Sequence, residues 1–199
     1  MNSPATPRSE RGFWHLVALQ FQGAFSDNVY KQLIILGLVA VIWTEESAQS
    51  KWNSVVAGIF VLPGFLVSIW AGFLADKYSK RTLTLAIKSV EIIIMFLAMA
   101  VFLLGEPHRI FWPALLVLFL LSTKFTFFSP NKYGIIPELV RPERLSWANG
   151  VIELTTFLAI ILGTGVVPVL LNWIDPGHLY SIGCGLIVLA ASGLAAGWG

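Results

Sequence analysis

The sequence predicts an all-α membrane protein with six transmembrane helices and a cytoplasmic N-terminus. Three observations support this prediction: the composition, the spacing of the apolar runs and the placement of the basic residues. Of the 199 residues, 56% are hydrophobic and 12% are charged, whereas a soluble domain carries about 25% charged residues. The composition excludes a soluble enzyme and a disordered tail, and a net charge of +2 is too small to indicate a nucleic-acid partner.

Cysteine and histidine are too sparse to indicate a cross-linked or metal-binding protein. The single cysteine, Cys184, excludes an intrachain disulfide framework, and three scattered histidines form no zinc or haem pattern. Residues 1–12 are polar and carry no signal-peptide core, so we predict a cytoplasmic tail there. Residues 13–199 are predicted to form one six-helix bundle.

Six apolar runs are long enough to cross a bilayer, which needs about 20 mainly apolar residues. The predicted spans are Trp14–Trp43, Val55–Ala75, Leu83–Leu104, Ile110–Ser129, Ser146–Leu171 and Tyr180–Trp198. Polar residues interrupt the first run. It is also longer than a bilayer needs, so a tilt or a protruding end is expected.

The basic residues outside the spans lie almost entirely on one side. With the N-terminus inside, the cytoplasmic segments hold Arg8, Arg11, Lys77, Lys80, Arg81, Lys132, Arg141 and Arg144, and the outer loops hold Lys51 and Arg109. Because Lys and Arg are retained in the cytoplasm, this asymmetry predicts an inside N-terminus and an even number of spans.

Charged residues also lie within the predicted spans, and their charges sum to zero. They are Asp27, Lys31, Lys88, Glu91, Lys124 and Glu153. A central charge facing lipid costs about 2.5–3.5 kcal/mol on insertion scales. We therefore expect these side chains to face protein or water, or to extend toward the membrane surface.

The first span carries one narrow polar stripe. At about 100° per residue, Gln20, Asp27 and Lys31 fall within about 40° of arc. Such a stripe lines a cavity or makes a helix contact. Two interpretations of Asp27 and Lys31 stay open: a substrate or ion pathway, or an internal ion pair that fixes the packing.

The fifth span carries a second stripe. Asn149, Glu153 and Thr156 share one face, which Gly163 continues and where a glycine permits close helix approach. For Glu153 a functional and a structural role are equally open.

Two lysines call for different interpretations. Lys124 has no neighbouring acid on its own helix, so it is a candidate to bind an anionic group or to pair with Glu153 or Asp27 across the bundle. Lys88 and Glu91 are three residues apart, near the cytoplasmic third of their predicted span, where a structural pair is the favoured interpretation.

Breaks inside two of the predicted helices favour a moving transport bundle. Pro63 and Gly64 interrupt the second span, and Gly163 to Gly165 with Pro168 interrupt the fifth. If the six helices form two inverted triplets, these spans occupy equivalent positions, as do the charged first and fourth spans.

The segment between spans two and three carries the clearest motif. It reads Gly72, Phe73, Leu74, Ala75, Asp76, Lys77, Tyr78, Ser79, Lys80, Arg81. Asp76 is a candidate latch that binds a helix N-terminus or a neighbouring base, and an ordinary positive-inside turn is the alternative. The segment resembles the major facilitator superfamily motif G-x-L-A-D-[RK]-x-G-[RK]-[RK], with Ser79 in place of the usual glycine.

Longer segments resemble a narrower family, the bacterial lysophospholipid transporters. The similar stretches are Ser129 to Val140, Glu143 to Gly150 and Phe25 to Lys31. The resemblance implies the N-terminal six-helix half of a major facilitator fold in the bacterial inner membrane. Members flip lysophospholipids from the outer to the inner leaflet for reacylation, and some are fused to acyltransferase and acyl-ACP synthetase domains. It also implies a missing C-terminal half, or a second copy in its place.

The resemblance implies roles for the intramembrane residues. Lys124 is the candidate for the lipid phosphate, with Phe127 and Phe128 near the glycerol or the acyl chain. Asp27 with Asn28 is the candidate for an ammonium headgroup or for a coupling cation such as sodium or a proton.

Three other classes remain as alternatives. One is a major facilitator carrier for a sugar, drug or organic ion. The second is the membrane part of a lipid acyltransferase, although the chain has no histidine followed five residues later by an acid and no G-x-S-x-G or H-E-x-x-H motif. A purely structural membrane protein is the third, and six intramembrane charges argue against it.

Overall fold

The computed structural model describes residues 10–174 and 178–197, and over these residues the chain is all helical, without strands. The helices are α1 Glu10–Ile42, with a π-helical stretch at Ile34–Val39, α2 Glu46–Lys77, α3 Lys80–Leu103, α4 Pro107–Leu139, α5 Leu145–Trp173 and α6 Tyr180–Gly197. Five of them are long and apolar enough to cross a membrane, and α6 is a shorter apolar helix. The predicted all-α membrane bundle is confirmed.

Short turns connect α2 to α3 and α3 to α4 at opposite ends of the bundle. Ser79 ends the α2–α3 turn, and its side chain accepts a hydrogen bond from the backbone N of Thr82 at 3.2 Å. The serine that replaces the motif glycine is therefore the N-cap of α3, a position that favours serine. In the α3–α4 turn, Gly105 has φ +79°, a conformation that glycine adopts without strain.

The fourth helix extends well beyond the predicted span. The apolar run ends at Ser129, but α4 continues through Pro130 and Pro137 to Leu139. Tertiary contacts stabilise this extension: the buried Asn131 amide donates to Thr84 Oγ1 of α3 at 2.7 Å. The segment after Ser129, treated as a loop in the sequence, is the cytoplasmic end of α4.

Helix pairing in the bundle has the symmetry of a repeat. The closest neighbours are α1 with α5, α2 with α4, and α3 with α6. Exchanging α1 with α4, α2 with α5 and α3 with α6 leaves this set of pairs unchanged, as two inverted triplets require. The α1–α5 contact is very close, because a Cβ at Gly163 would lie 2.7 Å from the backbone oxygen of Phe25.

Two apolar clusters fill the bundle at different depths. The cluster nearer the α3–α4 turn contains Tyr30, Met95 and Leu118, and we call it the outer cluster. The cluster nearer the α2–α3 turn contains Phe13 and Ile152, and we call it the inner cluster. Between the two clusters, α1, α3 and α4 each carry buried polar or charged residues, among them Gln22, Asp27, Glu91 and Lys124. A polar layer therefore crosses the middle of the bundle.

Candidate functional site

Four charged side chains meet in this layer. Lys124 Nζ of α4 lies 2.9 Å from Asp27 Oδ1 of α1 and 3.4 Å from Glu91 Oε1 of α3. Glu91 Oε2 lies 2.8 Å from Lys88 Nζ, one helical turn earlier on α3. The signs alternate along the order Asp27, Lys124, Glu91, Lys88, and we call these four residues the charge tetrad.

The tetrad is buried and neutral. The exposed fractions are 1% for Asp27, 0% for Glu91, 3% for Lys88 and 6% for Lys124. Buried charges are tolerated when they are paired and hydrogen-bonded. Two acids balance two bases here, so the site carries no net charge into the membrane interior.

Gln22 of α1 ties two tetrad members together. Its Oε1 accepts from Lys88 Nζ at 2.6 Å, and its Nε2 donates to Glu91 Oε1 at 3.0 Å. The next residue, Gly23, faces both lysines, since a Cβ there would lie 3.5 Å from Lys88 Nζ and 4.0 Å from Lys124 Nζ. The α1 face that meets α3 and α4 is thus a hydrogen-bonding surface.

One acceptor in the tetrad is unused. Asp27 Oδ2 is buried and has no hydrogen-bond partner in the structure. A cavity of about 10 Å³, lined in part by Gln20, Lys88 and Lys124, adjoins the tetrad and has room for about one water molecule. The site therefore offers two ammonium groups and an acid with a free oxygen, which together suit a zwitterion.

The predicted residues of the first span separate into two groups. Asp27 pairs with Lys124, as one of the sequence alternatives proposed. Lys31 does not join it: its Nζ donates to Asn28 Oδ1 at 2.9 Å and lies 4.8 Å from the centre of the Phe60 ring. Asn28 in turn donates to the backbone oxygen of Ala24 at 2.8 Å.

The polar stripe of α5 makes a side-chain hydrogen bond to α1 through Thr156. Gln20 Nε2 donates to Thr156 Oγ1 at 2.9 Å. Glu153 is not the partner of Lys124. Its side chain is 44% exposed, and its Oε1 accepts from Tyr133 Oη at 2.6 Å and lies 3.8 Å from Lys132 Nζ.

Asn149, one turn before Glu153, is exposed and lies outside the tetrad. Phe127 and Phe128, expected near the lipid, pack in the inner apolar cluster. Lys88 Nζ lies 5.8 Å from the centre of the Phe128 ring, so this phenylalanine borders the tetrad from the inner side.

Sequence reasoning missed Lys88, Glu91 and Gln22 as members of the site. It placed the pair near the cytoplasmic third of its span, but α3 has 24 residues and begins at Lys80, so Glu91 lies at mid-helix. Asp27 and Lys124 are also close to the middle of their helices. Two acids and two bases thus lie near the middle of three helices, and this shared depth in the membrane is the signal that would have identified the tetrad.

The loop-motif residues lie at the far end of the bundle from the α3–α4 turn. Lys80 Nζ donates to the backbone oxygen of Ala75 at 2.7 Å, near the end of α2. Lys77 lies over the ring of Phe73 at 5.7 Å. Asp76 is exposed, Gly72 has open space where a Cβ would be, and Arg81 is in the first turn of α3. The latch assigned to Asp76 stays a prediction.

A second cavity opens between α2 and α4. Its volume is about 550 Å³, within the range of about 300–1,000 Å³ typical of ligand pockets. The lining residues are Phe60, Val61, Gly64 and Ser68 of α2, and Ser122, Phe125, Thr126, Ser129, Pro130 and Tyr133 of α4. We call this cavity the α2–α4 groove.

Comparison with known proteins finds curated transporters. The chain is 29% identical to Lysophospholipid transporter LplT of Photorhabdus laumondii over 172 residues, which is 86% of this chain and 39% of that protein. It is 28% identical to LplT of Cronobacter sakazakii over 86% of the chain and 39% of the relative. For LplT of Escherichia coli strain CFT073 the identity is 29% over 94% of the chain and 41% of the relative.

No family model matches the chain, and no solved structure matches it significantly. The chain spans about two fifths of the length of the curated relatives. Both the apolar helices and the bacterial transporters that the chain resembles indicate a membrane protein. The chain is a multi-pass integral membrane protein of the bacterial inner membrane, similar over most of its length to lysophospholipid transporters.

Proposed function

We propose that this chain is the N-terminal six-helix half of a transporter that moves lysophospholipids from the outer to the inner leaflet. The similarity covers 86% of the chain but 39% of the relative. In such a two-half transporter, each half contributes one wall of a site at the membrane midplane.

The charge tetrad is the observation that carries the proposal. A lysophospholipid such as lysophosphatidylethanolamine brings a phosphate and an ammonium group. Lys124 binds the phosphate, and Asp27 binds the ammonium through Oδ2, the oxygen without a partner. Lys88 and Glu91 remain paired beside them at 2.8 Å. Charge-assisted hydrogen bonds of this kind are strong in a site shielded from water.

Electroneutrality explains how a charged headgroup crosses the apolar layer. The empty tetrad is neutral, and a zwitterion leaves it neutral. The Asp27–Lys124 pair, at 2.9 Å, opens to admit the ligand and closes when the ligand leaves. Neither state leaves an unpaired buried charge, which would cost several kcal/mol.

The second half of the transporter would face α2 and α5. Of the five long helices, these two have the smallest buried share within the bundle. Gly58 and Gly64 on α2, and Gly150 and Gly165 on α5, have open space where a Cβ would be. Small residues on a helix face allow another helix to approach closely, so this face suits a C-terminal half or a second copy of the chain.

A proteoliposome competition assay tests the proposed substrate. The complete gene product, meaning this chain with anything its gene encodes beyond it, is reconstituted and given labelled lysophosphatidylethanolamine. Unlabelled lysophospholipid should reduce uptake, whereas sugars and cationic drugs should not. Equal competition by a sugar or a drug would favour another carrier of the superfamily. The gene sequence beyond this chain shows directly whether a second half or a fused acyltransferase follows.

A further inference from the structure

The α2–α4 groove and the small cavity beside the tetrad share one wall. Among the described residues, Phe125 is the one that borders both. It follows Lys124 directly on α4 and is half-buried. Phe125 therefore lies between the open groove and the small cavity beside the buried charges.

One face of α4 lines the groove with hydroxyl groups. Ser122, Thr126, Ser129 and Tyr133 follow one another at spacings of three or four residues, which places them on one helix face. At 1.5 Å per residue they extend over about 16 Å, about half of the roughly 30 Å hydrocarbon core. This hydroxyl stripe starts at the depth of Lys124 and runs toward the cytoplasmic end.

Charged groups mark both ends of the stripe. Near its start, Lys31 Nζ lies over Phe60, a groove residue, at 4.8 Å. At its far end Tyr133 donates to Glu153 Oε1 at 2.6 Å, and Lys132 lies 3.8 Å from the same oxygen. The opposite wall, on α2, has Gly64 with open space and the apolar side chain of Val61. The α2 wall is mainly apolar, with Ser68 as its polar residue, and it lies opposite the hydroxyl groups of α4. This arrangement suits an amphiphile with one acyl chain.

We propose that Phe125 is the gate between the charge tetrad and the α2–α4 groove, and that the hydroxyl stripe guides the lysophospholipid headgroup from the tetrad to the cytoplasmic leaflet. This inference rests on the proposed function and adds a route and a gating residue to it. When the Phe125 ring turns aside, Lys124 and the stripe share one continuous space. When it returns, the tetrad is sealed from the groove.

Substitutions at Phe125 test the gate in proteoliposomes that contain the complete gene product. Phe125→Trp enlarges the barrier, and uptake of lysophosphatidylethanolamine should fall at least about tenfold, the factor that corresponds to about 1.4 kcal/mol. Phe125→Ala removes the barrier and should not slow uptake. The matched controls are Phe119→Trp and Phe119→Ala, because Phe119 is a half-buried phenylalanine of the same helix that borders neither cavity.

A photoactivatable lysophosphatidylethanolamine tests the route independently of turnover. In the wild type, its cross-links should fall on groove residues of α2 and α4, and they should persist in Phe125→Trp. Thr126→Val, which removes one hydroxyl of the stripe, should slow uptake several-fold. Thr123→Val is its control, since Thr123 lies on the same helix outside the groove and donates to the backbone oxygen of Phe119.

The outcomes separate the gate from the proposed function. If the wild type takes up no lysophospholipid, the proposed function is refuted and the gate falls with it. If the wild type is active but Phe125→Trp behaves like Phe119→Trp, the gate is refuted alone. If Phe125→Trp fails to fold, which its thermal unfolding would reveal, Thr126→Val and the cross-links test the proposal instead. Cross-links outside the groove, or equal uptake by Thr126→Val and Thr123→Val, then overturn the proposal.

Discussion

Neutralising Glu91 tests whether the tetrad acts as one electrostatic unit. Glu91→Gln keeps the size of the side chain, but its single amide oxygen can take the place of only one of the two carboxylate oxygens that accept from Lys88 and Gln22. It leaves two buried lysines facing the single carboxylate of Asp27. We expect the variant to be clearly less stable than the wild type.

The geometry sets the size of the effect. Glu91 lies 2.8 Å from Lys88 Nζ and 3.4 Å from Lys124 Nζ. With an effective dielectric constant of about 20, these contacts correspond to gross attractions of about 6 and 5 kcal/mol. Much of this is offset by the desolvation of the charges, and removing one partner of a buried pair costs about 3–5 kcal/mol in practice. Because glutamine keeps the volume of the side chain and can keep one of the two hydrogen bonds, we expect a loss of about 3 kcal/mol.

A second substitution should restore most of this loss. In Lys88→Met/Glu91→Gln one base and one acid are gone, and the Asp27–Lys124 pair remains neutral at 2.9 Å. Replacing both members of a buried pair is often close to neutral. The double variant should therefore lie within about 1 kcal/mol of the wild type.

Unfolding in detergent micelles measures both effects. Titration with sodium dodecyl sulfate, followed by circular dichroism, gives the free energies of unfolding, and the single variant should also lose about 6–12 °C in Tm. The control is Glu106→Gln, which removes the exposed i,i+3 pair with Arg109, where both side chains are more than two-thirds exposed. It should change the stability by less than about 1 kcal/mol. If the losses of Lys88→Met and Glu91→Gln simply add in the double variant, the tetrad is not one unit.

Two further predictions concern helix packing and capping. Gly163→Ala should destabilise the bundle by about 1–3 kcal/mol, because its Cβ would lie 2.7 Å from the backbone oxygen of Phe25. Gly165→Ala, with open space at that position, should be tolerated, and equal Tm values for the two variants would contradict the close α1–α5 contact. Ser79→Ala should cost about 1 kcal/mol through the lost bond to Thr82 N. Ser79→Asp, which can also cap the helix, should retain the stability, and equal losses in both would contradict the capping role.

The number and order of the helices could be predicted from apolar runs because the bilayer imposes a length on each span. The end of α4 could not. Pro130, Asn131 and Lys132 look like a helix end in sequence, but the helix continues there, and the buried Asn131 bonds to Thr84 of α3. Tertiary contacts overrode a local signal.

The site could be predicted only in part, because here too tertiary packing decides which residues meet. Helical periodicity identified Asp27 and Gln20 as one polar face, and charge type made Lys124 a candidate for either anion binding or pairing. Which acid would meet Lys124 depends on how α1, α3 and α4 pack, which periodicity within one helix does not reveal. Glu153 was a candidate partner on charge alone, but it lies at the exposed end of α5 beside Tyr133.

The position of Phe125 between the two cavities could not be predicted from the sequence. Three phenylalanines follow Lys124 within four residues, and all of them are apolar neighbours of a charge in the sequence. Only the packing of α4 distinguishes Phe125, at the groove, from Phe127 and Phe128, in the inner cluster.

Headgroup binding by a neutralised tetrad tests the central claim most directly. Asp27→Asn/Lys124→Met removes one acid and one base, so the bundle should unfold at nearly the wild-type Tm. The purified complete gene product is titrated with lysophosphatidylethanolamine, and binding is followed by calorimetry. If the tetrad binds the headgroup, the double variant loses at least about tenfold in affinity. Wild-type affinity in this folded variant would show that Asp27 and Lys124 only hold the helices together.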